Sequence, residues 1–119
     1  MKYVDLIDMT RLSTFDTLPD QQTWKDSKYL MAFNEARAYL FSKCPESRVT
    51  AAVGLTDYAL ISETSLGSDM ALDSIYVPFL VYYMAHKFFL AGSRDTVNLQ
   101  KAQAQQAAFQ QALAALGGR

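Results

Sequence analysis

The stretch IYVPFLVYYMAHKFFLAG, residues 75–92, is the most hydrophobic part of this chain and decides its fold. Apolar and aromatic side chains run without interruption from Ile75 to Ala85, and only His86 and Lys87 intrude before Gly92. A helix that is hydrophobic nearly all round must be covered on more than one face. The run is shorter than the roughly 20 apolar residues that cross a bilayer, so we predict a buried helix rather than a membrane span.

The segment that follows predicts a last helix from about Asp95 or Thr96 to Leu116, with Asp95 as its cap. Its inward positions recur every three or four residues, and Lys101 is the only charge between Leu99 and Leu116. Freely solvated helices usually carry a charged face, so both late helices predict contacts with other subunits or partners. The predicted interface with other subunits or a partner consists of Tyr76, Phe79, Tyr83, Phe89, Leu99, Phe109, Leu113, Leu116 and Arg119.

Two helices are predicted in the first half of the chain. A short one precedes Arg11, because Tyr3, Leu6 and Ile7 recur at helical spacing, and residues 12–22 then lose that periodicity. A longer helix begins at Thr23, where Asp26 stands three residues later as in a capping box. Pro45 ends this helix, because proline disfavours helical backbone at the residue before it.

Between the second and third helices the apolar spacing changes to that of strands. Val49, Ala51 and Val53 alternate with other residues, and a second alternating run follows after Gly54. We predict a short β-hairpin turning near residues 54–57, with a polar loop over residues 62–73. The expected fold class is therefore mainly α, a small bundle of about four helices with one β-hairpin between helices 2 and 3.

Composition bounds the domain count and excludes several functions. A chain of 119 residues and 13.3 kDa is one domain's length, so residues 1–119 are predicted to form a single domain with a short tail from about residue 114. The net charge of −1 and pI of about 5.7 disfavour non-specific nucleic-acid binding. The first turn contains Asp5 and no apolar run, which predicts no signal peptide.

The residues that could carry chemistry do not form a recognisable catalytic or metal-binding pattern. The five glycines match no phosphate-binding fingerprint. Cys44 and His86 are each the only residue of their type, and we interpret them as a buried thiol and a hydrogen-bonded core histidine. A single cysteine also fits synthesis in a reducing cytoplasm. The prediction is a protein that is not an enzyme and has no cofactor or metal.

The order and spacing of particular residues in both halves of the chain resemble the pattern of one protein family. The first half has Trp24 at the start of a helix, then Leu30, Asn34 and a proline before an alternating strand. The second half is more specific, with these residues in sequence: Tyr76, Leu80, Tyr83, Lys87, Phe88, Phe89, Ser93, Arg94, Asp95, Asn98, Ala102, Phe109 and Leu113. This pattern resembles the head-to-tail adaptor proteins of tailed bacteriophages, also called connector or head-completion proteins.

The resemblance implies a structural function. Members of this adaptor family form a ring, usually of twelve subunits, below the portal protein of the capsid. The ring extends the DNA channel and provides the platform for tail attachment. The implied partners are the portal protein, a tail or nozzle protein and other copies of the chain, with genomic DNA passing through without sequence-specific binding. The implied location is the head-tail junction of the virion, after synthesis in the cytoplasm of a bacterial host. Many members carry a larger β-rich insertion where this chain has only residues 62–73, so tail contacts made through that insertion are not implied here.

Two other classes fit parts of the pattern. A small helical interaction or regulatory protein that forms a homodimer would use the same apolar faces with two-fold closure. A ligand-binding or enzymatic helical domain would need a pocket with perturbed polar groups. The number of subunits in the assembly distinguishes a homodimeric interaction protein from a ring. An activity that depends on His86 would indicate the ligand-binding or enzymatic domain.

Overall fold

Four α-helices account for most of the structure, a computed structural model that describes residues 1–17, 22–50, 54–55, 59–92 and 94–116. The helices are α1 (Tyr3–Thr14), α2 (Asp26–Lys43), α3 (Val77–Ala91) and α4 (Thr96–Ala115). Short 3-10 turns cover Pro45–Arg48, Glu63–Ser65 and Ser74–Tyr76. The mainly helical fold class is thereby confirmed, and α4 ends at Ala115, one residue before the predicted end of the last helix and just past the predicted start of the tail.

The hydrophobic helix α3 is the centre of the bundle. It contacts α1, α2 and α4, and its buried side chains are Val77, Phe79, Leu80, Val81, Tyr83, Met84, Ala85 and Phe89. Pro78 lies in its first turn, where a missing N–H costs no intrahelical hydrogen bond. The three other helices of the same chain therefore cover most of α3. Its hydrophobicity is explained by the fold of one chain and does not by itself require a second subunit.

The start of α1 is held by the loop that precedes α3. The backbone N–H groups of Tyr3 and Val4 donate to the carbonyls of Ser68 and Leu66, at 3.2 and 2.9 Å. These first-turn donors have no acceptor inside the helix, so the loop satisfies groups that would otherwise be unpaired. The helix extends to Thr14, beyond the predicted end, and stops where Phe15 adopts a left-handed backbone with φ of 58°.

The predicted capping box at Thr23 is wrong. Helix α2 begins at Asp26, with Lys25 as its N-cap residue and no side-chain capping bond. The backbone N–H of Thr23 instead donates to the Asp16 carboxylate at 2.7 Å, and the N–H of Trp24 donates to the same carboxylate at 3.1 Å. A buried carboxylate from the end of α1 therefore organises this turn. The predicted stop before Pro45 is confirmed, because α2 ends at Lys43.

The β-hairpin with a turn at residues 54–57 is not seen. Instead, Val49–Thr50 pairs antiparallel with Gly54–Leu55, so Gly54 lies in a strand rather than in the turn. Residues 51–53 and 56–58 lie outside the described residues. Ile61, predicted in the second strand run, has its backbone N–H and carbonyl bonded to the side-chain amide of Asn34, at 2.9 and 3.0 Å. Helix α2 thus supplies the hydrogen bonds that a neighbouring strand would have supplied.

Candidate functional site

Helices α3 and α4 form a helical hairpin with a defined joint. The carboxylate of Asp95 accepts the backbone N–H of Val97 at 2.8 Å, which confirms the predicted cap of α4. The side-chain amide of Asn98 donates to the carbonyl of Gly92 at 3.2 Å and closes the turn. Farther along, Nδ1 of His86 lies 2.8 Å from the carbonyl oxygen of Ala102, so the single histidine is hydrogen-bonded between the two helices as predicted.

An aromatic cluster fills the space between this hairpin and α2. The ring of Phe109 on α4 lies 5.0 Å from that of Tyr83 and 5.7 Å from that of Phe79, with Tyr39 of α2 at 6.0 Å. Such rings bury large apolar areas in edge and tilted contacts. Burial, together with the nearby carboxylate of Glu35, raises the pKa of Tyr83 to about 12. The cluster is a core that joins α4 to the bundle.

The residues predicted as an interface fall into three groups in the structure. Those belonging to the chain's own core, all at most 7% exposed, are Tyr76, Phe79, Tyr83, Phe89 and Phe109. Leu113 and Leu116 are half-buried against that core, and Leu99 is 38% exposed. Arg119 lies outside the described residues. The aromatic members therefore hold the chain together, and Leu99 is the most exposed of the predicted residues that the structure describes.

The outer face of α4 is exposed along the whole helix. It consists of Gln100, Gln103, Ala107, Gln111 and Ala114, all exposed and spaced at three or four residues. Ala102 and Phe109 are the buried residues of this helix, and Lys101 is the only charge between Thr96 and Ala115. The outer face is thus neutral and built of small and amide side chains over its whole length.

A groove opens at the end of the bundle where α1 and α3 finish and α2 and α4 begin. Two adjoining hollows of about 430 and 320 Å³ share Thr23, Phe88, Phe89 and Asn98 in their walls. Phe15 lies at its rim and is 82% exposed, the highest exposure of any large hydrophobic residue described. The ammonium groups of Lys28 and Lys101 lie 5.4 Å from the rings of Trp24 and Phe89, respectively.

Sequence reasoning did not identify this groove. Phe15 falls in the segment of residues 12–22 that is predicted to lose helical periodicity, and nothing in the spacing of Phe15 or Lys28 relates them to α3 or α4. The one local signal was the loss of helical periodicity after Arg11, which indicates that Phe15 is outside a regular helix. The groove exists because the ends of four helices meet, which is a tertiary property.

The candidate groups for catalysis are not brought together. Cys44 is buried and free, and burial, with the neighbouring Glu46, raises the pKa of its thiol. A thiol in such surroundings is protonated and a poor nucleophile. Within the described part of the chain, no three His, Cys, Asp or Glu residues are placed to hold a metal ion. No helix in that part is long and apolar enough to cross a membrane.

Comparisons with protein-family models, with curated proteins and with solved structures gave no match to this chain.

Proposed function

We propose that this protein is a structural head-to-tail adaptor of a tailed phage, which forms a ring below the portal protein and provides the platform for tail attachment. The observation that carries the proposal is the outer face of α4, a 20-residue helix with one charge that is covered on one side only. The order of residues around Tyr76, Lys87 and Asp95 supports the family, since it resembles that of such adaptors.

The chemistry of the outer face suits a protein partner. Burying a charge without a partner is costly, whereas alanine and glutamine side chains can be covered at little cost when the amides find hydrogen bonds. Small residues such as Ala107 also let a second helix approach closely. We assign this face to the contact with the portal protein, which leaves the ends of the bundle for contacts between adaptor subunits.

Portal binding by matched variants tests the proposal. Ala107→Arg places a long charged side chain in the middle of the outer face, whereas Ala38→Arg makes the same change at an exposed position of α2. Both substitutions keep good helix formers at solvent-exposed sites, so both variants should fold. We expect wild type and Ala38→Arg to co-sediment with portal particles, and Ala107→Arg to lose at least tenfold in affinity.

The mass of the assembly provides the second readout. An adaptor gives a closed ring, alone or on the portal, that native mass spectrometry resolves as one discrete species near twelve subunits. A stable homodimer that does not bind the portal protein would contradict the proposal and favour the alternative of a regulatory protein. Equal portal binding by Ala107→Arg and Ala38→Arg would mean that the outer face is not the portal contact.

A further inference from the structure

Among the described residues at the groove's end of the molecule, exposed basic side chains outnumber exposed acidic ones. The carboxylates of Asp16 and Asp26 there are paired with Arg11, and that of Asp95 caps α4. The lining of the groove includes Lys28 and Lys101, and the exposed side chains of Lys25 and Arg94 lie on the helix starts beside it. The structure pairs none of these four with a carboxylate among the residues it describes. Between the lysines, the aromatic side chains of Phe15, Trp24 and Phe88 offer an apolar floor and rim. A segment that fits this groove carries carboxylates around an apolar side chain.

The opposite end of the same chain carries such a segment. Asp69 and Asp73 are exposed in the loop before α3, and no ion pair to either is formed among the described residues. Ile75, two residues after Asp73, is 60% exposed. We call Asp69, Asp73 and Ile75 the acidic edge. It is tied to the start of α1 by the hydrogen bond from the Met70 N–H to the Met1 carbonyl, 2.9 Å long.

The groove and the acidic edge of one molecule cannot meet. Helix α3 runs from the acidic edge at Val77 to the groove at Phe88, a distance of about 17 Å at the helical rise. Each chain therefore has an acidic apolar projection at one end and a basic aromatic recess at the other. An antiparallel two-fold pair would also bring each acidic edge to the other copy's groove, but it closes at two copies, whereas a head-to-tail series continues and can form a ring.

We infer that the acidic edge of one copy docks in the groove of the next, with Ile75 against Phe15 and Phe88 and with Asp69 and Asp73 beside Lys28 and Lys101. This junction would be the contact that repeats around the ring, and the inference thus rests on the proposed function. It also accounts for the exposed Phe15, which the junction covers. Rotation between successive copies decides whether the series closes.

Cysteine cross-linking tests the junction directly. A chain carrying both Thr17→Cys, in the wall of the groove, and Ser74→Cys, between Asp73 and Ile75, keeps Phe15 and Ile75 in place. It has one introduced thiol at each end, too far apart for an internal disulfide, which needs Cα atoms within about 7 Å, and the native Cys44 is buried. Under mild oxidation we expect a ladder of covalent oligomers that ends at the ring. A chain with either substitution alone can form only dimers. The pair Thr17→Cys and Ala38→Cys, which puts the second thiol at an exposed position of α2, should give no ladder.

The outcomes separate the junction from the adaptor function. A ladder by a chain that does not bind portal would uphold the junction and overturn the adaptor proposal. Rings on the portal without a ladder would overturn the junction and leave the adaptor proposal standing, and a monomer without a ladder would overturn both.

Charge reversal gives an independent check. We expect Lys101→Glu and Asp73→Lys each to weaken association at least tenfold, and their combination in one chain to restore it; no restoration would contradict the junction.

Discussion

Arg11 and Asp16 form a buried ion pair at the end of α1, with Nη1 of the arginine 3.1 Å from the carboxylate and both side chains at most 5% exposed. The same guanidinium donates to the carbonyl of Trp24 at 2.9 Å and to the carboxylate of Asp26 at 2.8 Å. Asp16 in turn accepts the hydroxyl of Tyr29 at 3.0 Å. This network shapes the turn that forms one wall of the groove.

Removing Arg11 should strongly destabilise the fold. Arg11→Met keeps much of the side-chain volume but leaves the Asp16 carboxylate buried without its cation, and breaking such a pair costs about 3–5 kcal/mol. The control is Lys87→Gln, which breaks the partly exposed ion pair with Glu35 and should cost at most about 1 kcal/mol. Urea unfolding of both variants measures the difference, and equal midpoints would show that the buried pair is dispensable.

Phe109→Ala should act on stability rather than on assembly alone. The side chain is 5% exposed and contacts three aromatic rings, so its truncation should cost about 3–5 kcal/mol. Leu99→Ala, at a 38% exposed position of the same helix, should cost much less and serves as the control. Thermal unfolding compares them. A folded, fully stable Phe109→Ala chain would contradict its place in the core.

Phe15→Gly should stabilise the isolated chain while weakening association. A left-handed backbone costs a residue with a side chain about 1–2 kcal/mol, and glycine removes that cost at some loss of unfolded-state entropy. The expected net gain is about 0.5–1 kcal/mol in urea unfolding. Phe15→Ala removes the same ring but keeps the cost of a left-handed backbone at a residue with a side chain. Both variants should lose association equally, and only the glycine variant should become more stable.

Stability should fall at alkaline pH through Tyr83. Its pKa is raised to about 12 in the fold, mainly by burial, whereas an unfolded tyrosine titrates near 10. The unfolded chain releases this proton first, so stability is intact below about pH 10 and falls between about 10 and 12. Urea midpoints from pH 9 to 11 measure the slope. Tyr83→Phe should reduce this slope without abolishing it, because burial also raises the pKa values of Tyr29 and Tyr76. Tyr82→Phe, at the neighbouring exposed position, should leave the slope unchanged.

The helical elements were predictable where local signals agreed. Pro45 ends α2, Asp95 caps α4, and the run from Val77 to Ala91 is a helix, because proline, a short carboxylate and continuous hydrophobicity act over a few residues. The prediction failed at Thr23, since the distant Asp16 takes the N–H that a local cap would have satisfied. It failed again at Ile61, where Asn34 of α2 supplies the backbone hydrogen bonds.

The sequence by itself determined the helical class, the central position of the hydrophobic helix and the neutrality of α4. Those properties follow from periodicity and composition, which act along the chain. Tertiary structure decided which hydrophobic residues a partner can reach. Phe109 and Tyr83 are enclosed because α4 folds back on α3, whereas Phe15 is presented to solvent because a left-handed turn ends α1. Hydrophobicity is a property of each residue, but exposure depends on which helices meet around it.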